Sequence, residues 1–399
     1  MRPLTVLIAG AGVAALEATL ALRHLADELV EIELVAPENE FAYRPMSVAE
    51  PFKQGEVRRF PLDRLVDAAG ARLRHGALAG VDLAEKTATL EDGTELAWDV
   101  LLLALGTQPT EAVPGALTFR GAQDRAALVE LLADAAAGRI RSIIFALPTM
   151  AAWPLPLYEL ALMTKLHLEN VGATRTSVEI VTPEARPLGV FGQAASDAVE
   201  QLLELRGIPV RTHTTPAVFR DGALVVVPGL SIRADRTVTL PVPQGLPVAG
   251  LPQDARGFVR TDEHGLLEGQ ADVYAAGDMT AFPLKQGGIA AQQADAAAES
   301  IAATAGAQVS PQPFRPVLRG LLLTGLSPQF LRANPLEAAS MADAEALWWP
   351  PAKIVGKHLS PFLASQLGIS VEAPPAGMGA LDVEVELERS HGDWSPAAR

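Results

Sequence analysis

The tightest constraint on this chain lies in its first fifteen residues. Leu4-Thr-Val-Leu-Ile-Ala9 is a short, continuous apolar run, as a strand buried on both faces requires. It breaks at Gly10-Ala11-Gly12 into an Ala- and Leu-rich helical stretch reaching about Asp27, and Glu31 to Ala36 then alternates into a second strand. A strand, a glycine turn, a helix and a parallel strand make a βαβ unit, which commits the chain to an open α/β sheet. Each small residue of Gly10-x-Gly12-x-x-Ala15 has its own task. Gly10 permits the tight turn, Gly12 lets the backbone approach a pyrophosphate, and Ala15 lets the helix pack close to the sheet. The free N–H groups and the dipole of the helix start favour negative charge there. The acid that should end the second strand and meet an adenosine ribose is missing, because Ala36 stands there. Glu38 either reaches the ribose through the turn at Pro37 or is a solvated turn residue beside a ribose held by backbone groups.

Composition narrows the function classes. The 399 residues suggest two to three domains. A net charge of −15 argues against general affinity for nucleic acid or anionic lipid. With no cysteine, a disulfide scaffold, a thiolate zinc site, an iron–sulfur cluster and a thiol nucleophile are excluded. The histidines show no metal-binding spacing, so no metal site is expected. The apolar run from Leu4 to Leu22 contains Gly10, Gly12 and Glu17 and precedes no cleavage site, so it is not read as a signal peptide. The run from Ile143 to Leu157 is short and broken by Pro148, Pro154 and Pro156, so no integral membrane segment is expected. A cytoplasmic protein is the resulting expectation.

Further along, residues 72–98 alternate, and Asp92-Gly93 marks a hairpin in a small antiparallel meander. Val100–Leu105 is another buried strand and 123–137 a helix. A second βαβ-like block follows: strand 142–147, the Pro-rich loop 148–156, helix 157–168, strand 177–182, and helix 194–206 ending at Gly207. Val273–Ala276 is a short strand, 287–303 a long Ala-rich helix and 359–367 a short one, and Ala380–Leu387 is strand-like. This is an α/β chain with two Rossmann-like domains, a meander and a C-terminal α+β interface region. The expected limits are 1–120 and 246–310 for the first domain, 121–245 for the second, and 311–399 for the C-terminal region.

Two further strand ends carry chemistry. Ala104-Leu105-Gly106 and Ala276-Gly277-Asp278 place a Gly turn and a carboxylate where ligands bind in open α/β sheets. In this order, with the Gly10–Ala15 turn, they resemble the FAD-binding triplet of the pyridine nucleotide-disulfide oxidoreductase superfamily, and the resemblance covers nearly all the chain. Phe41-Ala42-Tyr43-Arg44-Pro45, Thr182-Pro183-Glu184, Phe191-Gly192 and Lys285-Gln286-Gly287-Gly288 extend it toward sulfide:quinone oxidoreductases, the flavoprotein subunit of flavocytochrome c sulfide dehydrogenase, and type II NADH dehydrogenases. The resemblance implies FAD as cofactor. It places Arg44 beside the FAD, the backbone at Leu78 on the adenine, Leu105 and Gly106 in the cradle and Asp278 on the ribityl chain. It sets Lys285 and Gln286 at the helix start facing the flavin pyrimidine ring, where Lys285 stabilises reduced flavin unless it is merely a solvated lysine. Homodimers are common in the family.

Two departures count against the relatives' own chemistry. Loop 148–156 contains no glycine, and its prolines and Trp153 oppose close approach of a nicotinamide cofactor, so a usual NAD(P)H site is not expected. The sulfide-oxidising relatives use cysteines, whereas Met46 and Ser47 stand near the redox position here, and neither does thiol–disulfide exchange. The expected function is an FAD-dependent oxidoreductase with the flavin as sole redox centre. It would serve a small-molecule donor and an acceptor such as a quinone. The alternatives are an NAD(P)H dehydrogenase with an atypical nicotinamide site and a non-catalytic flavin-binding scaffold. Trp348-Trp349-Pro350-Pro351 either wall the flavin site or pack as core, and Glu159 is either a proton donor or an ordinary acid at a helix start.

Overall fold

The computed structural model describes residues 2–334, 336, 339–348 and 352–369. The opening βαβ unit builds the centre of a five-stranded parallel sheet. Its strand order is Val273–Ala275, Val100–Leu103, Leu4–Ala9, Val30–Ala36 and Arg72–His75. The last strand differs from expectation: 72–75 belongs to the edge of this sheet and not to the meander. Its two faces are unequally covered, so it alternates like an antiparallel strand although it pairs in parallel. The meander itself is Leu78–Asp82, Thr87–Leu90 and Glu95–Ala97, and it turns at Asp92-Gly93 as the sequence suggests. Gly93 takes φ +84°, and Asp92 Oδ1 accepts from Thr94 N–H at 2.9 Å.

The helix Val13–Ala26 lies along the helix Gly287–Thr304 on one face of this sheet. Ala14, Ala18, Ala21, Ala290, Ala294 and Ala297 are all buried there, and small side chains let two helices approach closely.

A second five-stranded parallel sheet has the order Leu117–Thr118, Arg236–Thr239, Ser142–Ala146, Ser177–Val181 and Val210–Arg211. Helices Arg125–Ala136, Leu155–Asn170 and Gln193–Leu205 cover it, around a core containing Phe145, Tyr158, Leu162 and Phe191. An antiparallel ribbon joins Thr107–Thr110 to Val242–Gly245. A three-stranded antiparallel sheet spans Thr215–Arg220, Ala223–Val227 and Leu230–Arg233.

The C-terminal region is a three-stranded antiparallel sheet, Leu318–Leu322, Gln329–Asn334 and Ala339–Asp343, followed by the helix Leu359–Gln366. Buried Glu17 anchors that helix: its carboxylate accepts the N–H groups of His358 at 2.7 Å and Leu359 at 2.8 Å. Ala380–Leu387 lies outside the described residues. No helix among them is long and apolar enough to cross a membrane.

Candidate functional site

The parallel strands of the first sheet bring three turns to one edge. Gly10 holds φ +116°, and a Cβ there would stand 2.3 Å from the carbonyl oxygen of Ala104. Glycine is therefore demanded by the neighbouring strand end as well as by the turn. Gly12 differs, because a Cβ on it would meet nothing within 4 Å and would point into open space. The helix it starts has neither a side-chain cap nor an acid in its first turn, so its N–H groups face that space. Ala15 is fully buried under this turn.

Leu105 N–H points at Met279 Sδ at 3.4 Å, which ties the second turn to the third. Gly106 takes φ +70° and also borders open space. Gly277 donates to Gln293 Oε1 at 2.8 Å, and its missing side chain leaves room for Ala14 and Ala290. The half-buried Asp278 carboxylate accepts no hydrogen bond from the described residues. Burial raises its pKa, and the charges of Lys285 and Arg44 oppose that rise. Arg44, itself exposed, thus stands within electrostatic reach of Asp278.

Glu38 is exposed just past the second strand, without a hydrogen bond or ion pair among the described residues. Gly76 N–H donates to Ala36 O at 3.1 Å, bringing the segment leading to half-buried Leu78 against the same strand end.

Lys285 departs from the expectation of a solvated lysine. Its ammonium donates to the carbonyls of Thr280 and Phe282 and lies 4.1 Å from the centre of the Phe258 ring. Burial lowers its pKa to about 8, against the pull of Asp278. It is not a solvated lysine; it braces the loop before the helix. Gln286 caps that helix, accepting from Ile289 N–H at 2.8 Å and donating to Arg319 O at 3.1 Å.

The edge of the second sheet is filled by the chain itself. The helix after the Pro-rich loop begins at Leu155, so Tyr158 and Glu159 lie beyond its first turn and are buried. Tyr158 donates to Glu184 Oε2 at 2.6 Å and Thr182 to the same oxygen at 2.8 Å. Burial raises the Glu184 pKa and these two donors oppose it; burial and then the Glu184 charge push Tyr158 well above the phenol range. Trp153 packs edge-on to Phe191 at 5.5 Å. Ser340, from the C-terminal sheet, donates to Phe191 O at 2.6 Å and accepts from Ala195 N–H at 3.1 Å.

A cavity of about 980 Å³ opens between segment 43–60 and the C-terminal region, with Tyr43, Met46, Leu321, Leu323, Lys353 and Leu363 in its walls. Behind the wall, Lys353 Nζ meets Glu159 Oε1 at 2.5 Å; the side chains are 7% and 1% exposed. The same Glu159 oxygen accepts Leu323 N–H at 2.9 Å, while Oε2 has no partner. Burial raises the Glu159 pKa and Lys353 holds it down. Glu159 is thus a fully buried ion-pair member, not an acid at a helix start. Lys353 carried no signal in the sequence, because its partner lies 194 residues away. Trp348 is core: it packs against Phe330 at 5.0 Å and donates to Ala352 O at 3.0 Å. Trp349, Pro350 and Pro351 lie outside the described residues. Among those residues no acid or histidine group is arranged to hold a metal ion.

Comparison with known proteins agrees with this fold. The family model described as pyridine nucleotide-disulphide oxidoreductase matches residues 159–300. A sulfide:quinone oxidoreductase from Aquifex aeolicus superposes with TM-score 0.77 at 20% identity, over 85% of this chain and 86% of that one. A ferredoxin reductase from Rhodopseudomonas palustris gives 0.61 at 19% identity, over 82% and 81%. An engineered water-forming NADPH oxidase gives 0.57 at 15% identity, over 82% and 74%. At these identities the structures speak for the fold, and the family match over residues 159–300 supports the pyridine nucleotide-disulphide oxidoreductase superfamily.

Proposed function

We propose that the chain is an FAD-dependent oxidoreductase whose flavin is its sole redox centre. The observation that carries this is the first sheet's edge. There an uncapped helix start with an open Gly12 faces a turn at Gly106 and a carboxylate, Asp278, that lacks a hydrogen-bond partner among the described residues. These features fit an FAD: N–H groups for the pyrophosphate and an unsatisfied acceptor for the ribityl hydroxyls. Gly10, Gly12, Ala15, Leu105, Gly106 and Asp278 would hold it, with Arg44 beside them and Glu38 and Leu78 at the adenosine end. Gln286 would present the following helix start. The domain limits proposed with this reading are 1–120 and 246–310 around 121–245, followed by 311–399.

Bound FAD supplies two-electron chemistry, accepting reducing equivalents and passing them on. The residues of this chain bind, orient and shield. The closed edge of the second sheet supports a flavin served without a nicotinamide cofactor. The apolar cavity suits a flat, weakly polar acceptor such as a quinone. Lys353 in its wall, backed by Glu159, would deliver a proton to a reduced carbonyl. With no cysteine in the sequence, thiol-based sulfide or disulfide chemistry has no residue to use.

The test is the visible spectrum of the purified protein, followed by anaerobic titration with NADH, NADPH, sulfide and a quinol. A yellow protein bleached by a donor other than NAD(P)H is the expected result. A protein that stays colourless after incubation with FAD would overturn the reading. Rapid bleaching by NADH or NADPH would instead establish an atypical nicotinamide site, and bound flavin inert to every donor a scaffold.

A further inference from the structure

The C-terminal sheet carries a pair of cations that no described carboxylate neutralises. Arg319 stands directly opposite Arg332 on adjacent antiparallel strands. Cross-strand partners point to the same face, so the two guanidinium groups share one side of the sheet. Leu318, Gly320 and Leu331 are buried, with Gly320 seated against the Phe191 ring. The arginine face also carries Leu321 and Phe330, which pack with Trp348 and Val355. Met341, opposite Arg332 on the third strand, leaves that flank open, being 50% exposed.

Like charges set directly across a sheet repel, and withdrawing them from water adds a desolvation penalty. Proteins normally meet that penalty with a carboxylate. Among the described residues, neither guanidinium makes a side-chain hydrogen bond or an ion pair, and neither lies over an aromatic ring. Asp343 shares the face, but its Oδ1 accepts Glu345 N–H at 3.0 Å and it forms no ion pair with either arginine. Burial, and then the charge of Arg332, push the Arg319 pKa down to about 10.

We propose that Arg319 and Arg332 form a binding site for the oxyanion group of a small molecule, a carboxylate or a phosphate. Two planar donor forks side by side match the oxygens of such a group, and its negative charge offsets both cations at once. Both side chains are half-buried: dry enough to strengthen the interaction, open enough to be reached. The pair lies next to the cavity but is not part of its wall, so the inference does not rest on the flavin reading.

The full-length protein tests this by thermal unfolding, followed by tryptophan fluorescence, which needs no flavin. Inorganic phosphate and, separately, benzoate are titrated at constant ionic strength against chloride. One of them should raise the midpoint saturably, and which one does so identifies the group. Arg319→Met and Arg332→Gln should each weaken the apparent affinity about tenfold or more, the loss of a charge-assisted hydrogen bond. In chloride alone, Arg319→Met should unfold at or above the wild-type midpoint, because it removes an uncompensated charge. Arg141→Gln, at an exposed arginine elsewhere, should keep the wild-type response. The proposal fails if neither anion gives a saturable shift in the wild type, or if Arg319→Met and Arg332→Gln respond as the wild type does.

Discussion

Replacing Lys353 with methionine leaves the cavity wall nearly the same volume and removes one charge. Glu159 would then keep a single donor, the Leu323 N–H at 2.9 Å, on one oxygen, and none on the other. Its side chain is 1% exposed, so water cannot replace the lost ammonium. Stranding a buried charge in this way costs about 3–5 kcal/mol, or on the order of 10 °C in the midpoint of the unit that unfolds. Protonation limits the loss. Burial already raises the Glu159 pKa and Lys353 opposes it, so the variant raises it further. A carboxyl whose folded pKa lies above its unfolded value loses stability as pH rises through that window. The deficit should therefore be largest at pH 8–9 and shrink toward the ordinary carboxyl pKa of about 4.3. The assay is thermal and urea unfolding from pH 5 to 9, with Glu159→Gln/Lys353→Met beside the single variant. The double variant removes both charges and should recover most of the loss at pH 8. A single variant within about 1 kcal/mol of wild type at pH 8, or a deficit that does not shrink in acid, would refute the reasoning.

Gly10→Ala and Gly12→Val should separate folding from cofactor binding. The first drives a Cβ into the Ala104 carbonyl at 2.3 Å and should lower the unfolding midpoint whether or not FAD is present. The second meets nothing within 4 Å and should keep the apoprotein midpoint while lowering the flavin-to-protein absorbance ratio. Burial raises the pKa of Glu17 and, further, that of Asp295, and the two carboxyl groups are hydrogen-bonded to each other. Wild-type stability should therefore fall as pH rises above the ordinary carboxyl range. Asp295→Asn should flatten that slope in pH-dependent melts and gain roughly 1–3 kcal/mol at pH 8. Tyr158→Phe removes the 2.6 Å donor to Glu184 and should cost about 1–3 kcal/mol in urea unfolding.

How much of this was legible depended on whether the determining contacts are local. The Gly10–Ala15 turn, the Asp92-Gly93 hairpin and the Gly207 helix stop are set by backbone conformations that particular residues favour, and these read directly. The sheet at 215–233 gave no pattern, because its strands are short and a bulge between Pro216 and Val218 breaks the alternation. At the candidate site, small residues were readable by position, whereas charged ones were not. Lys285 looked like a free cation until the loop carbonyls folded around it. Glu17 read only as a charge within an apolar run, yet its role is to hold the N–H groups of His358 and Leu359, more than 300 residues away. A charged side chain takes its meaning from the partner that desolvates with it, and that partner is a property of the fold.

In the proposed reading, a flavin at the first sheet's edge has two approaches, from the second sheet's edge and from the cavity. Tyr158, Trp153 and Phe191 occupy the former, and Ser340 caps the helix start behind them. Donor and acceptor must then use the cavity in turn, the first product leaving before the second substrate enters. Steady-state kinetics with any working pair should give parallel double-reciprocal lines, with each substrate inhibiting competitively against the other at high concentration. Intersecting lines, showing both substrates bound at once, would mean that the second edge opens in solution and that its filling by Tyr158 and Phe191 is one state of a gate.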